Sequence, residues 1–274
     1  MMNWNDLLST TRTNSKNRFK SSNDIRNAFE NDYQRIIISA SFRRLQDKTQ
    51  VFPLDKNDFI RTRLTHSIEV SQIAKSLGAK VGSDIVENKI DSTFTESHIK
   101  TLSDLLACAG LLHDMGNPPF GHFGECAIRQ WFAQNMNKIQ FDGSTLKVTL
   151  DTQMQEDFLH FDGNAQVIRL ITKLHQLYEG MQGMNLTCAT VNTLLKYPIP
   201  SSEVNKEDSN VKYKKMGYFS AEKDTFKMIT QETGTLNYRH PATFLLEAAD
   251  DISYLLADLE DGMKKKPYKL RTIT

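Results

Sequence analysis

One stretch near the middle of the chain decides the interpretation of the rest: Leu111-Leu112-His113-Asp114-Met115-Gly116-Asn117-Pro118-Pro119-Phe120-Gly121-His122-Phe123-Gly124-Glu125. The adjacent His113-Asp114 pair ends an apolar helical run, which the two prolines prevent from continuing. Imidazole and carboxylate groups together bind divalent ions such as Zn, Mn, Fe or Mg. His122 and Glu125 follow, and a histidine beside a carboxylate is typical of proton transfer near neutral pH. The stretch therefore predicts a metal site and a proton-transfer site side by side.

A second candidate ligand lies on a helix that we expect to begin at Thr62 or Thr65, both of which are suitable N-caps. His66 shares one stripe of this helix with the apolar residues at i+4, i+7 and i+11. Taken alone, such a histidine is more often a satisfied core residue than a metal ligand. Arg63, almost one turn earlier, is expected near the same place.

The last strong helical pattern runs from Pro241 to Gly262 and carries a carboxylate on a largely apolar face. Asp250 shares that face with Leu246 and Ala257. Buried carboxylates are rarely tolerated unless they are paired or bound to a metal. This pattern favours Asp250 over its neighbour Asp251 as a ligand.

Three inward-facing stripes thus supply two imidazoles and two carboxylates: His66, His113, Asp114 and Asp250. Such a set suits one divalent cation with open positions for water and phosphate. We expect Mn²⁺ or Mg²⁺, and Co, Fe, Ni and Zn stay open as alternatives. Glu125 has two interpretations, either complementing the dipole at a helix N-terminus or orienting His122 and raising its basicity.

The composition excludes some classes of function. Lys and Arg total 34 against 33 Asp and Glu, so no global charge favours nucleic acid or membranes. No run of 18 apolar residues suggests a membrane span, and the first residues resemble no signal peptide. The three cysteines show no CxxC spacing, which is typical of a reducing compartment. We therefore expect a cytoplasmic protein that contacts no membrane.

The polarity pattern predicts a single helical domain at residues 24–262, with an insertion at about 135–160. A polar N-terminal arm, residues 1–23, is expected to be loosely held, and residues 263–274 form a basic tail. Residues 83–101 are polar and are expected to form a loop between two helices.

Four separated strings carry a resemblance to a known family: RRLQDKTQVFPL (43–54), RTRLTHS (61–67), HDMGNPPFGHFGE (113–125) and EAADDISY (247–254). An H…HD…D pattern on helices resembles the HD-domain phosphohydrolase superfamily. The four strings resemble the deoxyguanosine triphosphate triphosphohydrolase family, most of all its enterobacterial type. The resemblance covers about residues 20 to 261.

This resemblance implies an all-α HD-domain fold with loop insertions, and hydrolysis of dGTP to deoxyguanosine and inorganic triphosphate. It assigns the metal positions to the same four residues, and the catalytic pair to His122 and Glu125. Gln50 and Val51 match positions against the nucleoside. Positions near the phosphates and sugar match Lys196, Tyr197, Lys215 and Tyr254. The vertebrate relatives carry a histidine where this chain has Asn117, so no proton transfer is assigned to Asn117.

Positive charge for a triphosphate is also expected from the residues themselves, through Arg63, Lys196 and Lys215. The resemblance stops near Asp261, whereas the family continues into a helical C-terminal half with further pocket residues and subunit contacts. We therefore expect a shortened form, which is a homo-oligomer if that half is not required. Two alternatives stay open: an HD phosphohydrolase acting on other nucleotides, or a module that binds dNTP or single-stranded DNA without turnover.

Overall fold

A computed structural model describes residues 2–14, 24–50, 60–176, 179 and 182–264, and within them the protein is built of α-helices, as the sequence predicts. The α-helices are α1 (Trp4–Leu7), α2 (Ala28–Ile37), α3 (Ala40–Arg43), α4 (Arg63–Glu87), α5 (Glu96–Leu112), α6 (His122–Asn135), α7 (Leu146–Thr149), α8 (Thr152–Leu159), α9 (Gly163–Arg169), α10 (Cys188–Thr193), α11 (Lys223–Glu232) and α12 (Pro241–Lys264). Shorter 3₁₀ or π turns cover Arg44–Asp47, Leu170–Leu174, Ser201–Glu203, Val211–Tyr213 and Ser220–Glu222. In the described residues the only sheet is an antiparallel hairpin of β1 (Gln140–Phe141) and β2 (Ser144–Thr145).

The centre of the fold is an antiparallel pair formed by α4 and α5. The Thr62 side chain accepts a hydrogen bond from the amide of Thr65, so Thr62 is the N-cap of α4. Farther along, Ser71 Oγ donates to the Ala107 carbonyl at 2.8 Å, and Ser103 Oγ donates to the Lys75 carbonyl at 2.7 Å. These opposed contacts place the beginning of α4 beside the end of α5.

Helix α12 packs against both members of this pair. Ala249 and Ser253 face the interior and are buried. His240, just before the helix, is also buried: its Nδ1 accepts from the Ala242 amide at 3.0 Å, so its Nε2–H donates to the Leu7 carbonyl at 2.9 Å. The helix that carries Asp250 is thereby tied to the N-terminal segment.

The N-terminal segment corrects one expectation. Trp4, Leu7 and Leu8 are buried in the core, and the Trp4 ring meets the Phe94 ring edge to face at 5.0 Å. The prediction of a loosely held arm is therefore wrong for residues 2–14, because its few apolar residues all pack inward. Residues 15–23 lie outside the described part of the chain.

The prediction of a loop at residues 83–101 is also wrong, because α4 extends to Glu87 and α5 begins at Glu96. The connection between the two helices is therefore shorter than expected. The inner face of this part of α4 holds Gly78 and Gly82, which lie closely against α5 and weaken the apolar signal. The expected insertion contains the β-hairpin, α7 and α8, and α8 packs on α6 through Phe132 and Phe158, whose ring centroids are 4.2 Å apart. Among the described helices, none is both long and apolar enough to span a membrane. The division at residues 23 and 262 stays a prediction.

Candidate metal centre and proton-transfer pair

The four predicted metal ligands converge at one end of the α4–α5 pair. His66 lies in the first turn of α4, His113 caps the end of α5, and α12 brings Asp250 across them. Asp250 Oδ1 lies 3.1 Å from His66 Nε2 and 3.5 Å from His113 Nε2. One ligand atom from each of His66, His113 and Asp114 lies within 4.8 Å of the others. All four side chains are therefore close enough to share one ion.

The environment of His113 fits a metal ligand. Its Nδ1–H donates to the Gly110 carbonyl at 2.7 Å, which fixes the orientation of the ring. Its Nε2 is buried and makes no well-formed hydrogen bond among the described residues, because Asp250 Oδ1 and Asp114 Oδ1 lie 3.5 Å and 3.7 Å away. A buried polar atom without a partner is unfavourable unless an ion or another group occupies the space beside it. With two imidazoles and two carboxylates, this donor set suits a divalent transition metal or Mg²⁺.

The two carboxylates make the site attractive to cations. Burial alone lowers the pKa of His113, but the Asp114 charge and the contact with Asp250 outweigh it and raise this pKa to about 9. Burial alone raises the pKa of Asp250, but its contacts with His113 and His66 hold that pKa well below its usual range. The centre therefore stabilises a positive charge, whether as a proton on His113 or as a bound ion.

Asp114 is held by two donors, one on each carboxylate oxygen. Arg63 Nη1 donates to Oδ2 at 2.5 Å, and Asn117 Nδ2 donates to Oδ1 at 2.5 Å. Lys48 Nζ in turn donates to the Asn117 carbonyl at 2.6 Å. Such outer hydrogen bonds commonly orient the ligands of metal sites. Arg63, which the sequence assigns to phosphate, is thus buried and engaged by Asp114 while also lining the cavity.

His122 and Glu125 form the predicted pair at the start of α6. Glu125 Oε2 lies 3.0 Å from His122 Nδ1, and since a carboxylate accepts, Nδ1–H donates. Glu125 is 1% exposed, and its Oε1 accepts from the Gly163 amide at 2.7 Å. The side chain of His122 is 83% exposed, which leaves Nε2 open to the cavity and to water. The geometry matches the orienting interpretation of Glu125, although Glu125 also lies in the first turn of α6.

The turn before α6 has an unusual backbone. Phe120 has a φ of +64°, followed by Gly121 at +53°. A positive φ is uncommon for a bulky residue, and such strain concentrates at functional sites. Phe120 is exposed and lines the cavity beside His122, so an apolar ring faces the open space.

A cavity of about 740 Å³ connects the candidate metal centre to the pair formed by His122 and Glu125. Its wall contains most of the predicted site residues: Gln50, Arg63, His66, His113, Asp114, His122, Lys196, Tyr197, Lys215, Asp250 and Tyr254. Glu125 lies behind His122, and Val51 lies outside the described residues. Gln50 Oε1 is buried and finds no hydrogen-bond partner in the described part of the protein. Such a buried amide oxygen is unfavourable without a hydrogen-bond donor beside it.

Both lysines of the cavity wall are held by carboxylates that the sequence analysis did not assign. Lys196 Nζ lies 2.9 Å from Glu247 Oε1, and Arg239 donates to the other oxygen of Glu247. Lys215 Nζ lies 2.8 Å from Asp162 Oδ2. Glu247 lies almost one turn before Asp250 on α12, so its position beside the site could have been predicted from the sequence. No local pattern pairs Asp162 with Lys215, because they are distant in the chain.

Comparison with known families agrees with this arrangement. Residues 63–187 match the HD domain, and the match begins at the first residue of α4. It includes His66, His113 and Asp114, while Asp250 lies beyond it. This part of the chain is similar to the HD domain, as the resemblance of its motifs implies.

Nearly the whole chain, and not only the segment that matches the HD domain, is similar to proteins named deoxyguanosinetriphosphate triphosphohydrolase-like. The one from Listeria innocua serovar 6a is 57% identical over 265 residues, which are 96% of this chain and 56% of that protein. The one from Synechocystis sp. is 41% identical, with coverages of 95% and 60%. A deoxyguanosinetriphosphate triphosphohydrolase from Klebsiella pneumoniae is 39% identical, with coverages of 93% and 54%. The chain spans little more than half the length of these relatives. Its identity to the Listeria protein is higher than its identity to the Klebsiella protein, so these values do not favour a resemblance to the enterobacterial type.

Proposed function

We propose that the chain is a metal-dependent phosphohydrolase that cleaves dGTP to deoxyguanosine and inorganic triphosphate. The observation that carries the proposal is the convergence of His66, His113, Asp114 and Asp250 at one end of a cavity that also holds His122. The names of the relatives support this choice of substrate. A cytoplasmic location would suit such a substrate.

The ion would be held by the two imidazoles and the two carboxylates, and Mn²⁺ or Mg²⁺ is our choice. When bound, a divalent ion supplies charge stabilisation for phosphate oxygens and lowers the pKa of water. Arg63 and Asn117 keep the Asp114 carboxylate oriented towards the centre. The residues of the chain thus fix the position of the ion relative to the cavity.

Two lysine side chains on the cavity wall would contact a triphosphate. Lys196 and Lys215 line the cavity, and each is held in place by one carboxylate. Lysine and arginine stabilise phosphate oxygens through charge-assisted hydrogen bonds. These contacts would place the α-phosphorus near the centre and leave the nucleoside towards Gln50.

His122 moves the proton in this proposal, and the atom involved is Nε2. Glu125 holds Nδ1–H, so the lone pair of a neutral ring is on Nε2, which faces the open space. Cleavage between the 5′ oxygen and phosphorus requires a proton for the leaving oxygen and loss of one from water. A neutral His122 ring would accept the proton that water loses, and a protonated ring would donate one to the leaving oxygen.

A second candidate is a module that binds a dNTP without turnover. The high exposure of His122 favours it, because an efficient proton-transfer group usually works in a site that excludes water. The buried and fixed Glu125 argues against it, since a binding protein needs no oriented imidazole.

The deciding experiment incubates the purified chain with dGTP and Mn²⁺ or Mg²⁺ and analyses the products. Deoxyguanosine and inorganic triphosphate in equal amounts are the expected products. Release of pyrophosphate or orthophosphate would overturn the proposed reaction. Binding of Mn²⁺ and dGTP without any product would support the second candidate. The Asp250→Asn variant, assayed in parallel, identifies activity from contaminating enzymes.

A further inference from the structure

The first residue of α9, Gly163, lies between the two halves of the site. Its amide N–H donates to Glu125 Oε1 at 2.7 Å, on the side of the proton-transfer pair. The neighbouring Asp162 is the N-cap of α9, and its side chain accepts from the amide of Asn164. The Gly163 amide needs no partner within the helix, because the first amides of a helix have none. It is therefore available to the carboxylate.

On the side of the metal centre, the absence of a side chain at Gly163 leaves room for Asn117. A Cβ at this position would lie 2.1 Å from Asn117 Oδ1 and 3.1 Å from Glu125 Oε1. The first distance is far below any normal contact, so the Asn117 amide occupies space that only glycine leaves open. From there, Asn117 Nδ2 reaches Asp114 Oδ1 at 2.5 Å. The backbone of Gly163 is helical, with no positive φ, so glycine is not required for its conformation.

The beginning of α9 packs closely against the segment around Gly116 and also contacts α6. A Cβ at Gly116 would lie 2.1 Å from the Gly163 carbonyl and 2.3 Å from the Val167 amide nitrogen. Arg129 of α6 donates to the Phe161 carbonyl at 2.9 Å, which holds the same turn against the helix of His122 and Glu125. The beginning of α9 thus contacts the metal-binding segment and α6 at once.

We propose that Gly163 is a positioning residue for both halves of the site. Its amide orients Glu125, which holds His122, and its lack of a side chain admits the Asn117 amide, which holds Asp114. The inference rests on the proposed function, and it adds a residue to which the sequence analysis assigned no role. It predicts that one substitution disturbs metal binding and the imidazole together.

Gly163→Ala tests the inference without a substrate. A Cβ at residue 163 displaces the Asn117 amide, so Mn²⁺ affinity should fall by about tenfold or more, as when outer partners of metal ligands are lost. The ¹⁵N shifts of the His122 ring, which report which nitrogen carries the proton, should change as Glu125 moves. The matched control is Gly82→Ala, a helical glycine whose added Cβ comes no closer than 3.3 Å to a neighbour. It should change neither measurement.

Asn117→Ala separates the two effects. It should weaken Mn²⁺ binding and leave the His122 shifts as they are, and it tests the metal half even if Gly163→Ala does not fold. In the double variant, Mn²⁺ affinity should fall no further than in Asn117→Ala alone, because both changes act through one contact. Additive losses, or unchanged Mn²⁺ affinity and His122 shifts in Gly163→Ala, would overturn the inference. If the unsubstituted chain binds no Mn²⁺, the proposed function fails instead.

Discussion

Asp250 Oδ1 lies 3.1 Å from His66 Nε2, although the two residues are 184 positions apart in the chain. The contact exists because α12 crosses the antiparallel α4–α5 pair at the end where both histidines lie. The same Asp250 oxygen faces both imidazoles, which makes Asp250 part of the candidate metal centre. The predictions below depend on this arrangement or on the core around it.

Removing the Asp250 carboxylate should abolish most metal binding. We expect Asp250→Ala to weaken Mn²⁺ affinity by more than about tenfold, because a ligand contributes at least as much as its outer partners. Calorimetric titration with Mn²⁺ measures the change. Asp251→Ala is the matched control: the residue is exposed at the adjacent position and should keep nearly full affinity. Equal losses in both variants would contradict the assignment.

His122→Ala should affect rate and leave the metal in place. We expect dGTP hydrolysis to fall by roughly 10²–10⁴-fold, which is the usual contribution of a positioned acid or base. Mn²⁺ affinity should stay unchanged, because the nearest partner of His122 is Glu125 rather than a metal ligand. Steady-state rates and metal titration of the same preparation test both statements. Parallel loss of rate and metal would make His122 a ligand.

Gln50 should contribute to the choice of base. Its Oε1 is buried beside the cavity and lacks a partner among the described residues, so a donor on guanine would satisfy it. Gln50→Ala should lower the preference for dGTP over dATP by roughly fivefold, the equivalent of one neutral hydrogen bond. Competition assays with both nucleotides measure the ratio of kcat/KM. An unchanged ratio would remove Gln50 from base selection.

Buried His240 should make the protein less stable in mild acid. Burial lowers the pKa of His240 to about 4, against about 6.5 for an unfolded chain. Between these values the unfolded state binds the proton, so this contribution to stability is complete above about pH 6.5 and is lost as the pH falls towards 4. At pH 5 the loss should reach roughly 2 kcal/mol. Urea unfolding of the parent and His240→Gln at pH 7.5 and pH 5 should show a smaller pH dependence in the variant.

Asp32 should be a major anchor of the N-terminal segment. It is fully buried and accepts hydrogen bonds from Arg12 and from the Thr187 amide and hydroxyl. Asp32→Ala removes the buried charge that pairs with Arg12 and leaves the Thr187 amide without its acceptor, so it should lower the free energy of unfolding by roughly 3 kcal/mol. Asp24→Ala, which breaks an exposed pair with Arg26, should cause no measurable loss. Similar losses in both variants would show that burial of the pair is not what matters.

The convergence of the four candidate ligands could be predicted in part, because His66, His113 and Asp250 each lie on a helix with a clear apolar stripe. His66, His113 and Asp250 all face inward on such stripes, and the periodicity alone indicated this. The resemblance of four motifs then supplied the grouping, which no single helix encodes. The fold class was accessible because long periodic helices give the strongest sequence signal.

Other features were not accessible because they depend on contacts between distant segments. Trp4 and Leu7 lie in a polar context, and only the tertiary fold shows that they are buried. The role of Asn117 depends on the space beside Gly163, and the pairing of Lys215 with Asp162 depends on two loops meeting. A sequence records the residue types at such contacts but not their proximity.

The tie between His240 and the Leu7 carbonyl has a consequence for how the protein is made. A ribosome releases the N-terminal segment and three of the four candidate ligands long before α12 emerges, so the candidate site stays incomplete until α12 is made. During that time Leu7 and Leu8 lack part of their final cover. Until α12 has left the exit tunnel, the apolar side chains of the N-terminal segment are open to contacts with other molecules, which favours aggregation.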